Sequence, residues 1–326
     1  MDVPATMATQ HPDSASRYVP IQEEPDEAVH ALTPQPDGLG IEELMIDFEG
    51  KMTPYHQTAE IAHKLVARGL VPGEDVFLTP RISSATEETV FRQLMALMSI
   101  IEADYDLMKT AGKGFIREVI LPMVRGSDDL LALRRRISDV IELAHKEFGF
   151  DPDPNSLQII PLVEDVPGMF TFRRLYKEFF EGCREMGLAV DRIRFLIGRS
   201  DSSLSYGLIA GAVGAKMMIS EAYRLGAELG LPVYPMYGGG SLPFRGHVTP
   251  DNFGNLLKDY AGIRTITVQS GIRYDVGFAY ARRLVSMAKE QLPRSEPRLL
   301  GREEMQWLGN IAALFGKHYI QAVQPF

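Results

Sequence analysis

The sequence predicts an α/β barrel, in which parallel strands alternate with helices around a closed sheet. Short apolar runs alternate with longer helical patterns seven times along the chain, as expected for successive strand–helix units of a parallel sheet. No Gly-x-Gly-x-x-Gly motif follows the first run, which disfavours a dinucleotide-binding sheet. The 326 residues, 45% of them hydrophobic, suffice for one large barrel or two medium domains.

The seven predicted strands are apolar runs that end in polar residues. They cover residues 44–48, 75–79, 118–124, 159–163, 193–197, 231–236 and 264–268. A barrel of this type has eight strands, so the missing one lies either in the N-terminal region or beyond Phe326. We favour the second position, because the last predicted helix, residues 303–323, is followed by nothing that would finish the sheet.

Helix boundaries between these strands carry specific signals. Thr53-Pro54 supplies an N-cap and a first-turn proline, and Gly69 ends the same helix. Ser84-Ala85-Thr86-Glu87 has the spacing of a capping box and begins the next helix. These signals support the strand–helix alternation.

The first forty residues differ in composition from the rest. Residues 1–17 are polar, and residues 18–40 carry four prolines among acids and glycines, which indicates a connecting segment without regular structure. We therefore expect an N-terminal segment of residues 1–40, followed by a barrel domain of residues 41–326 that is incomplete at its C-terminal end.

Composition excludes several classes of protein. The net charge of −9, without a long basic run, argues against a nucleic-acid partner. The single cysteine, Cys183, excludes a disulfide framework and fits a reducing cytoplasm. The N-terminus lacks a signal-peptide pattern, and the most apolar stretch, residues 207–220, is interrupted by Lys216 and is too short for a membrane span. We expect a cytoplasmic protein without a membrane partner.

Two acids follow neighbouring predicted strands. Glu164 comes after residues 159–163, and Asp201 comes shortly after residues 193–197. Functional residues of α/β barrels lie at the C-terminal strand ends, where two carboxylates suit a hard divalent cation. Each acid could instead cap the helix that follows it; the occurrence of a pair favours the metal site.

Arginines and glycines at the other strand ends suit an anionic ligand, because the guanidinium fork matches phosphate and carboxylate groups. The set comprises Arg81, Arg125, Arg199, Gly238-Gly239-Gly240, the loop Phe244-Arg245-Gly246-His247, Gln269 and Arg273. Structural alternatives stay open: Arg81 could pair with Glu87 or Glu88, Arg199 could pair with Asp201, and the glycines could form only a tight turn. Judged alone, His11 is an ordinary exposed histidine.

Six motifs, in order, resemble those of phosphoenolpyruvate carboxylase, and the closer resemblance is to its short archaeal-type form. They are Ala8-Thr9-Gln10-His11-Pro12-Asp13, Pro80-Arg81-Ile82-Ser83-Ser84-Ala85-Thr86-Glu87-Glu88, Pro161-Leu162-Val163-Glu164-Asp165, Arg199-Ser200-Asp201-Ser202, Phe244-Arg245-Gly246-His247 and Thr267-Val268-Gln269-Ser270. Each motif is weak alone, whereas six in the right order are specific. The resemblance covers nearly the whole chain.

The resemblance implies a TIM-like (β/α)8 barrel that uses Mg²⁺ or Mn²⁺ and works as a homotetramer. The implied reaction condenses phosphoenolpyruvate with bicarbonate to give oxaloacetate and phosphate, which makes the protein a carboxy-lyase. Family members, including short ones, are longer at the C-terminus. The chain is therefore expected to lack the C-terminal part, with the last strand, and its own activity stays open.

Residue roles follow from the same resemblance. His11 matches the catalytic histidine, and Glu164 and Asp201 match the metal ligands. The long form carries a Phe-His-Gly-Arg loop, so Arg245 and His247 are exchanged here, and we expect both to be catalytic. Substrate binding is expected from Arg81, Arg199, Gly239, Gly240, Gln269 and Arg273.

His11 would accept the proton of carboxyphosphate, and we expect the proline-rich segment to carry it over the barrel mouth, since no predicted strand ends beside it. Two other functions compete with this one. A citrate-lyase-type C–C lyase would use the Glu164–Asp201 pair without His11. An inactive fragment would use none of these residues.

Overall fold

A closed barrel of eight parallel strands forms the centre of the computed structural model, which describes residues 3–111, 114–149 and 153–323. The strands are β1 Thr6–Thr9, β2 Glu43–Asp47, β3 Phe77–Arg81, β4 Glu118–Leu121, β5 Gln158–Val163, β6 Ile193–Gly198, β7 Val233–Gly238 and β8 Thr265–Val268. The helices are α1 Glu24–Leu32, α2 Gln57–Val66, α3 Val90–Ala111, α4 Ser127–Phe148, α5 Val166–Glu185, α6 Arg199–Tyr206, α7 Leu208–Leu229, α8 Phe253–Asp259, α9 Phe278–Gln291 and α10 Arg302–Val323. Strands pair in chain order, and β8 closes on β1.

The α/β barrel prediction is confirmed, and the seven predicted strands correspond to β2–β8. The prediction that the eighth strand is missing and lies beyond Phe326 is wrong. That strand is β1, where Met7 is in register with Glu43 on one side and Thr267 on the other. Its four residues, Thr-Met-Ala-Thr, form no apolar run, so the apolar pattern of the sequence does not indicate this strand.

The prediction that residues 18–40 lack regular structure is also wrong. Glu24–Leu32 forms α1, in which Ala28, Val29, Ala31 and Leu32 are buried. The segment 1–40 therefore contains β1 and α1, and the expected boundary at residue 40 falls inside the repeating strand–helix pattern.

The interior of the barrel is layered, and β2 shows the layers most directly. Glu43, Met45 and Asp47 are alternate residues of one strand, so they point to the same side of the sheet. Met45 belongs to a buried apolar cluster that fills the middle of the barrel: Met7, Met45, Ile120, Ile160, Leu162, Leu196 and Met236. Glu43 lies at the amino end of the strand and Asp47 at the carboxyl end, so the apolar cluster separates two polar layers.

The lower polar layer is a buried ion-pair network. The Arg194 guanidinium donates to Glu43 Oε2 at 2.5 Å and also pairs with Glu118. Thr79 donates its hydroxyl to Glu43. Burial raises the pKa of Glu43, while Arg194 opposes the rise. In this layer both terminal nitrogens of Arg194 bind carboxylates, while its Nε has no hydrogen-bond partner among the described residues.

In the described ranges, no helix combines the length and apolar character needed to cross a membrane.

Candidate active site

A cavity of about 440 Å³ opens at the carboxyl ends of the strands. Its apolar floor includes Met45, Leu162 and Leu196, which belong to the barrel interior cluster. Its polar wall is lined by His11, Asp47, Glu49, Lys51, Arg81, Glu164, Ser200, Asp201, Arg245 and Gln269. Six residues predicted for the site therefore meet here: His11, Arg81, Glu164, Asp201, Arg245 and Gln269.

The two adjacent acids after β5 have different tasks. Asp165 caps α5 and accepts the Gly168 N–H at 2.5 Å. Glu164 lines the cavity instead, where its Oε2 accepts the Met123 N–H at 2.8 Å. Glu164 therefore does not cap α5, because its neighbour Asp165 is the N-cap residue.

Close backbone packing holds Glu164 in place. A Cβ on Gly198 would lie 2.8 Å from Glu164 Cγ, so only glycine allows β6 to approach this closely. On the other side, Met123 has a φ of 52°, a conformation that non-glycine residues rarely adopt. The strained backbone at Met123 directs its N–H to the carboxylate.

Glu164 lies close to other negatively charged side chains. Burial raises its pKa to about 7, with further increases from Asp201 and Glu49, while the Met123 N–H and Arg81 oppose the rise. The pKa of Glu49 is raised as well, chiefly by burial. Among the described residues, no three His, Cys, Asp or Glu side chains are arranged to hold a metal ion by themselves. In this part of the chain, the cavity offers the two carboxylates Glu164 and Asp201 as candidate ligands.

Arg81 pairs with two acids at the end of the neighbouring strand β2. Its Nε and Nη2 each lie 2.8 Å from an oxygen of Asp47, its in-register neighbour on β2, and its Nη1 lies 2.9 Å from Glu49 Oε2. The alternative partners Glu87 and Glu88 pair with other arginines. All three guanidinium nitrogens of Arg81 therefore have a carboxylate partner.

His11 lies at the mouth of the cavity, with 56% of its side chain exposed and its Nδ1 4.0 Å from Asp47 Oδ2. Desolvation by the surrounding walls lowers its pKa and Arg81 lowers it further, against the raising effects of Asp47 and Asp13. The imidazole is thus mostly neutral at pH 7 and able to accept a proton. The expectation that no strand end positions His11 is wrong, because His11 follows β1 closely.

Arg245 reaches the cavity from the loop after β7, and the glycines beside it let that loop pack. The Gly240 N–H donates to Arg245 O at 2.7 Å, and the Gly239 N–H donates to Thr267 Oγ1 at 2.9 Å. A Cβ on Gly240 would lie 2.6 Å from Gln269 Oε1. Both N–H groups are engaged within the protein, so these glycines serve close packing.

Five predicted residues do not line the cavity: Arg199, Gly239, Gly240, His247 and Arg273. Arg199 is buried and donates to Ser203 Oγ at 2.5 Å. Arg273 is buried too, donating to Thr9 O at 2.6 Å. His247 holds a φ of 54° in the loop behind Arg245. Arg273 thus joins the segment after β8 to β1, whereas the Arg199–Ser203 hydrogen bond lies within α6.

The chain matches the family model described as phosphoenolpyruvate carboxylase over residues 3–326. It belongs to the phosphoenolpyruvate carboxylase family. Phosphoenolpyruvate carboxylase of Methanosarcina acetivorans is 42% identical over 318 residues, which cover 97% of this chain and 59% of that protein. The carboxylase of Methanopyrus kandleri is 41% identical over 317 residues, or 97% of this chain and 58% of the relative. The chain thus spans about three fifths of the length of these archaeal relatives.

Solved structures confirm the barrel fold of this carboxylase-family chain. Haloferax volcanii malate synthase, in a magnesium and glyoxylate complex, has a TM-score of 0.53 at 14% identity, covering 93% of this chain and 79% of that one. A HpcH/HpaI aldolase/citrate lyase family protein of Burkholderia cenocepacia has a TM-score of 0.51 at 14% identity, covering 89% and 94%. At this identity the likeness shows the fold alone.

Sequence reasoning missed several polar residues of the carboxylase-family cavity. Asp47 lies inside the predicted strand of residues 44–48, but in the structure it ends β2, a position next to the one that Glu164 has after β5. Ser200 Oγ and Arg245 Nε, as well as Thr9 Oγ1, are buried without a hydrogen-bond partner in the described chain. Buried polar atoms normally have partners, so these three atoms on residues of a cavity wall fit a polar ligand.

Proposed function

We propose that this chain carries the active site for carboxylation of phosphoenolpyruvate by bicarbonate, with oxaloacetate and phosphate as products. The meeting of His11, the Glu164–Asp201 pair and Arg245 in one cavity supports the proposal most strongly. These residues supply a proton acceptor, ligands for a hard cation and a donor to oxyanions. Membership of the carboxylase family directs this chemistry to phosphoenolpyruvate.

The acid pair is proposed to hold Mg²⁺ or Mn²⁺. The raised pKa of Glu164 reflects a local surplus of negative charge that a cation would relieve. Magnesium is commonly bound through one or two carboxylates together with substrate oxygens and water, so Glu164 and Asp201 suffice as protein ligands. When bound, the cation supplies charge stabilisation for phosphate and enolate oxygens.

The proposed reaction can be written so that every bond and the transferred proton are accounted for. A bicarbonate oxygen attacks phosphorus, and the bond between phosphorus and the C2 oxygen of phosphoenolpyruvate breaks, which gives carboxyphosphate and the pyruvate enolate. His11 accepts the carboxyphosphate proton on an imidazole nitrogen. The C–O bond then breaks to give CO2 and phosphate, which receives the proton. Carbon C3 of the enolate attacks CO2 and forms the new C–C bond.

Arg245 is placed to stabilise negative charge during these steps. Its Nη2 binds Gln269 Oε1 at 3.2 Å and Asp13 Oδ2 at 3.3 Å, while its Nε has no partner in the described chain. An oxyanion at the cavity mouth would satisfy that donor. Arg81 has a different task, because its nitrogens are occupied by Asp47 and Glu49; we propose that it holds these acids apart from Glu164.

By family resemblance we also propose a homotetramer that works in the cytoplasm. Light scattering on the purified chain at several concentrations measures the assembly directly. A monomer under all conditions would refute the tetramer.

The decisive experiment is a coupled assay of oxaloacetate formation from phosphoenolpyruvate, bicarbonate and Mg²⁺, read through malate dehydrogenase. We expect activity in the purified chain and its loss in Asp201→Asn. His11→Gln should reduce kcat by about 10²- to 10⁴-fold, the usual contribution of a general base. The matched control is His63→Gln, an exposed histidine of α2, which should retain full activity.

Two outcomes would contradict the proposal. An inactive wild-type chain would refute carboxylation by this chain, and wild-type activity in His11→Gln would refute the role of His11. Bicarbonate-independent turnover of an alternative substrate would favour a C–C lyase instead.

A further inference from the structure

We infer that Asp13 is a positioning residue that fixes His11 and Arg245 relative to each other. The inference deepens the proposed carboxylation function and rests on it. Asp13 lies two residues after His11, and its side chain is 4% exposed. One carboxylate oxygen faces the end of β8, and the other faces Arg245.

The first oxygen ties the His11 segment to the closing strand of the barrel. Asp13 Oδ1 accepts the Gly271 N–H at 3.0 Å and also binds the Ser270 hydroxyl. Ser270 Oγ in turn accepts the Asp13 N–H at 2.9 Å and the Ser14 N–H at 3.1 Å, and it lies 3.2 Å from His11 O. The backbone on both sides of Pro12 is thereby fixed across the seam between β8 and β1.

The second oxygen ties the same segment to the loop after β7. Asp13 Oδ2 lies 3.3 Å from Arg245 Nη2, a nitrogen that also donates to Gln269 Oε1 at 3.2 Å. Arg245 is therefore held through one nitrogen while its Nε stays without a partner in the described chain. A single buried carboxylate thus joins the proposed proton acceptor to the proposed oxyanion donor.

The charges around His11 form two balanced pairs. Asp47 pairs with Arg81 on one side, and Asp13 pairs with Arg245 on the other. Asp13 raises the pKa of His11, whereas Arg245 and Arg81 lower it and Asp47 raises it, on top of the dominant lowering by desolvation. If Asp13 were neutral, the positive charge of Arg245 would act on His11 without compensation.

Asp275 provides a matched control, because it anchors the same segment without belonging to either pair. It accepts hydrogen bonds from Ser14 Oγ and Ser16 Oγ at 2.6 Å and from the Ala15 N–H at 2.9 Å. It is not among the charged groups that act most strongly on the pKa of His11. Asp275→Asn should therefore loosen the segment and change the His11 pKa less than Asp13→Asn does.

The test uses Asp13→Asn, Ser270→Ala and Asp275→Asn variants of the 326-residue chain. The His11 pKa is measured by NMR titration of the ring protons, with the His11→Gln variant identifying the signal. We expect Asp13→Asn to lower the His11 pKa, to shift the acid limb of kcat in the same direction, and to reduce kcat about 10- to 100-fold through misplacement of the reacting groups. Ser270→Ala should reduce kcat without moving the His11 pKa, because the charge of Asp13 remains.

Either of two results would overturn the inference. One is an unchanged His11 pKa in Asp13→Asn, and the other is an equal change in Asp275→Asn. The NMR titration does not require turnover, so it tests Asp13 even in a chain that fails to carboxylate. Absence of activity in the wild-type chain would instead count against the proposed function.

Discussion

Glu164→Gln should stabilise the metal-free protein at pH 8 and leave its stability nearly unchanged at pH 4. Burial, Asp201 and Glu49 together raise the pKa of Glu164 to about 7 in the folded protein. Glutamine resembles the protonated carboxyl group in shape and can still accept the Met123 N–H. The substitution therefore removes the unfavourable charge and keeps the contact.

The sign and size of the effect follow from linkage. Below pH 4.5, the ordinary pKa of the residue, both folded and unfolded states hold the proton. As the pH rises from 4.5 to about 7, the unfolded state loses its proton first, so stability falls through this window. The gap corresponds to about 3 kcal/mol, and the partial solvent access of Glu164 reduces it to about 2 kcal/mol.

Urea unfolding in EDTA, followed at pH 4 and pH 8, measures this difference. The matched control is Glu185→Gln, an exposed glutamate at the end of α5, which should change stability equally little at both pH values. Added Mg²⁺ should stabilise the wild type at pH 8 and have no effect on Glu164→Gln. A Glu164→Gln protein that is no more stable than the wild type at pH 8 would refute the charge-surplus argument.

Three further predictions concern the loop, the base and the lower polar layer. Gly240→Ala should lower kcat/KM by displacing Gln269 and Arg245, because the added Cβ would lie 2.6 Å from Gln269 Oε1. The control Gly254→Ala should leave kcat/KM unchanged, because its added Cβ would have no atom within 4 Å. Equal activity of the two variants would contradict the packing role. The acid limb of kcat/KM should have its midpoint below pH 6.5, since the pKa of His11 is lowered from that value and activity is lost only as the imidazole gains a proton; a midpoint above 6.5 in a pH–rate profile would count against this assignment. Arg194→Met should reduce the free energy of unfolding by about 3–5 kcal/mol, because it leaves buried carboxylates unpaired; a loss under about 1 kcal/mol in urea unfolding would show that the pair is not needed.

Most of the barrel was predictable because seven of its strands are apolar runs followed by polar residues. Strand β1 was missed because it holds only Met7 and Ala8 between two threonines. Contacts with neighbouring strands stabilise β1. Met7 belongs to the apolar cluster inside the barrel, and the backbone of β1 pairs with both β2 and β8. Position in the sheet, which depends on distant residues, decides the structure there.

The site was predictable at the level of strand ends and less so at the level of single side chains. Glu164 and Asp165 are adjacent and chemically alike, yet one faces the cavity and the other caps a helix. Arg81 was expected to bind substrate or a helix acid, but its partner Asp47 lies opposite it in the β2–β3 register. Cross-strand register and the direction of each side chain determine these outcomes, and neither can be read from the spacing of residues along the chain.

The two polar layers of the barrel show why the proposed metal belongs at the carboxyl end. At the lower layer, two buried carboxylates share Arg194, which binds both directly. At the cavity, Arg81 binds Asp47 and Glu49, and among the described residues Glu164 has no arginine in contact and accepts only the Met123 N–H. Acids alone do not distinguish the layers, because both contain them. The uncompensated charge at Glu164, beside Asp201, is what a divalent cation would neutralise, and a phosphorylated substrate would complete its ligands.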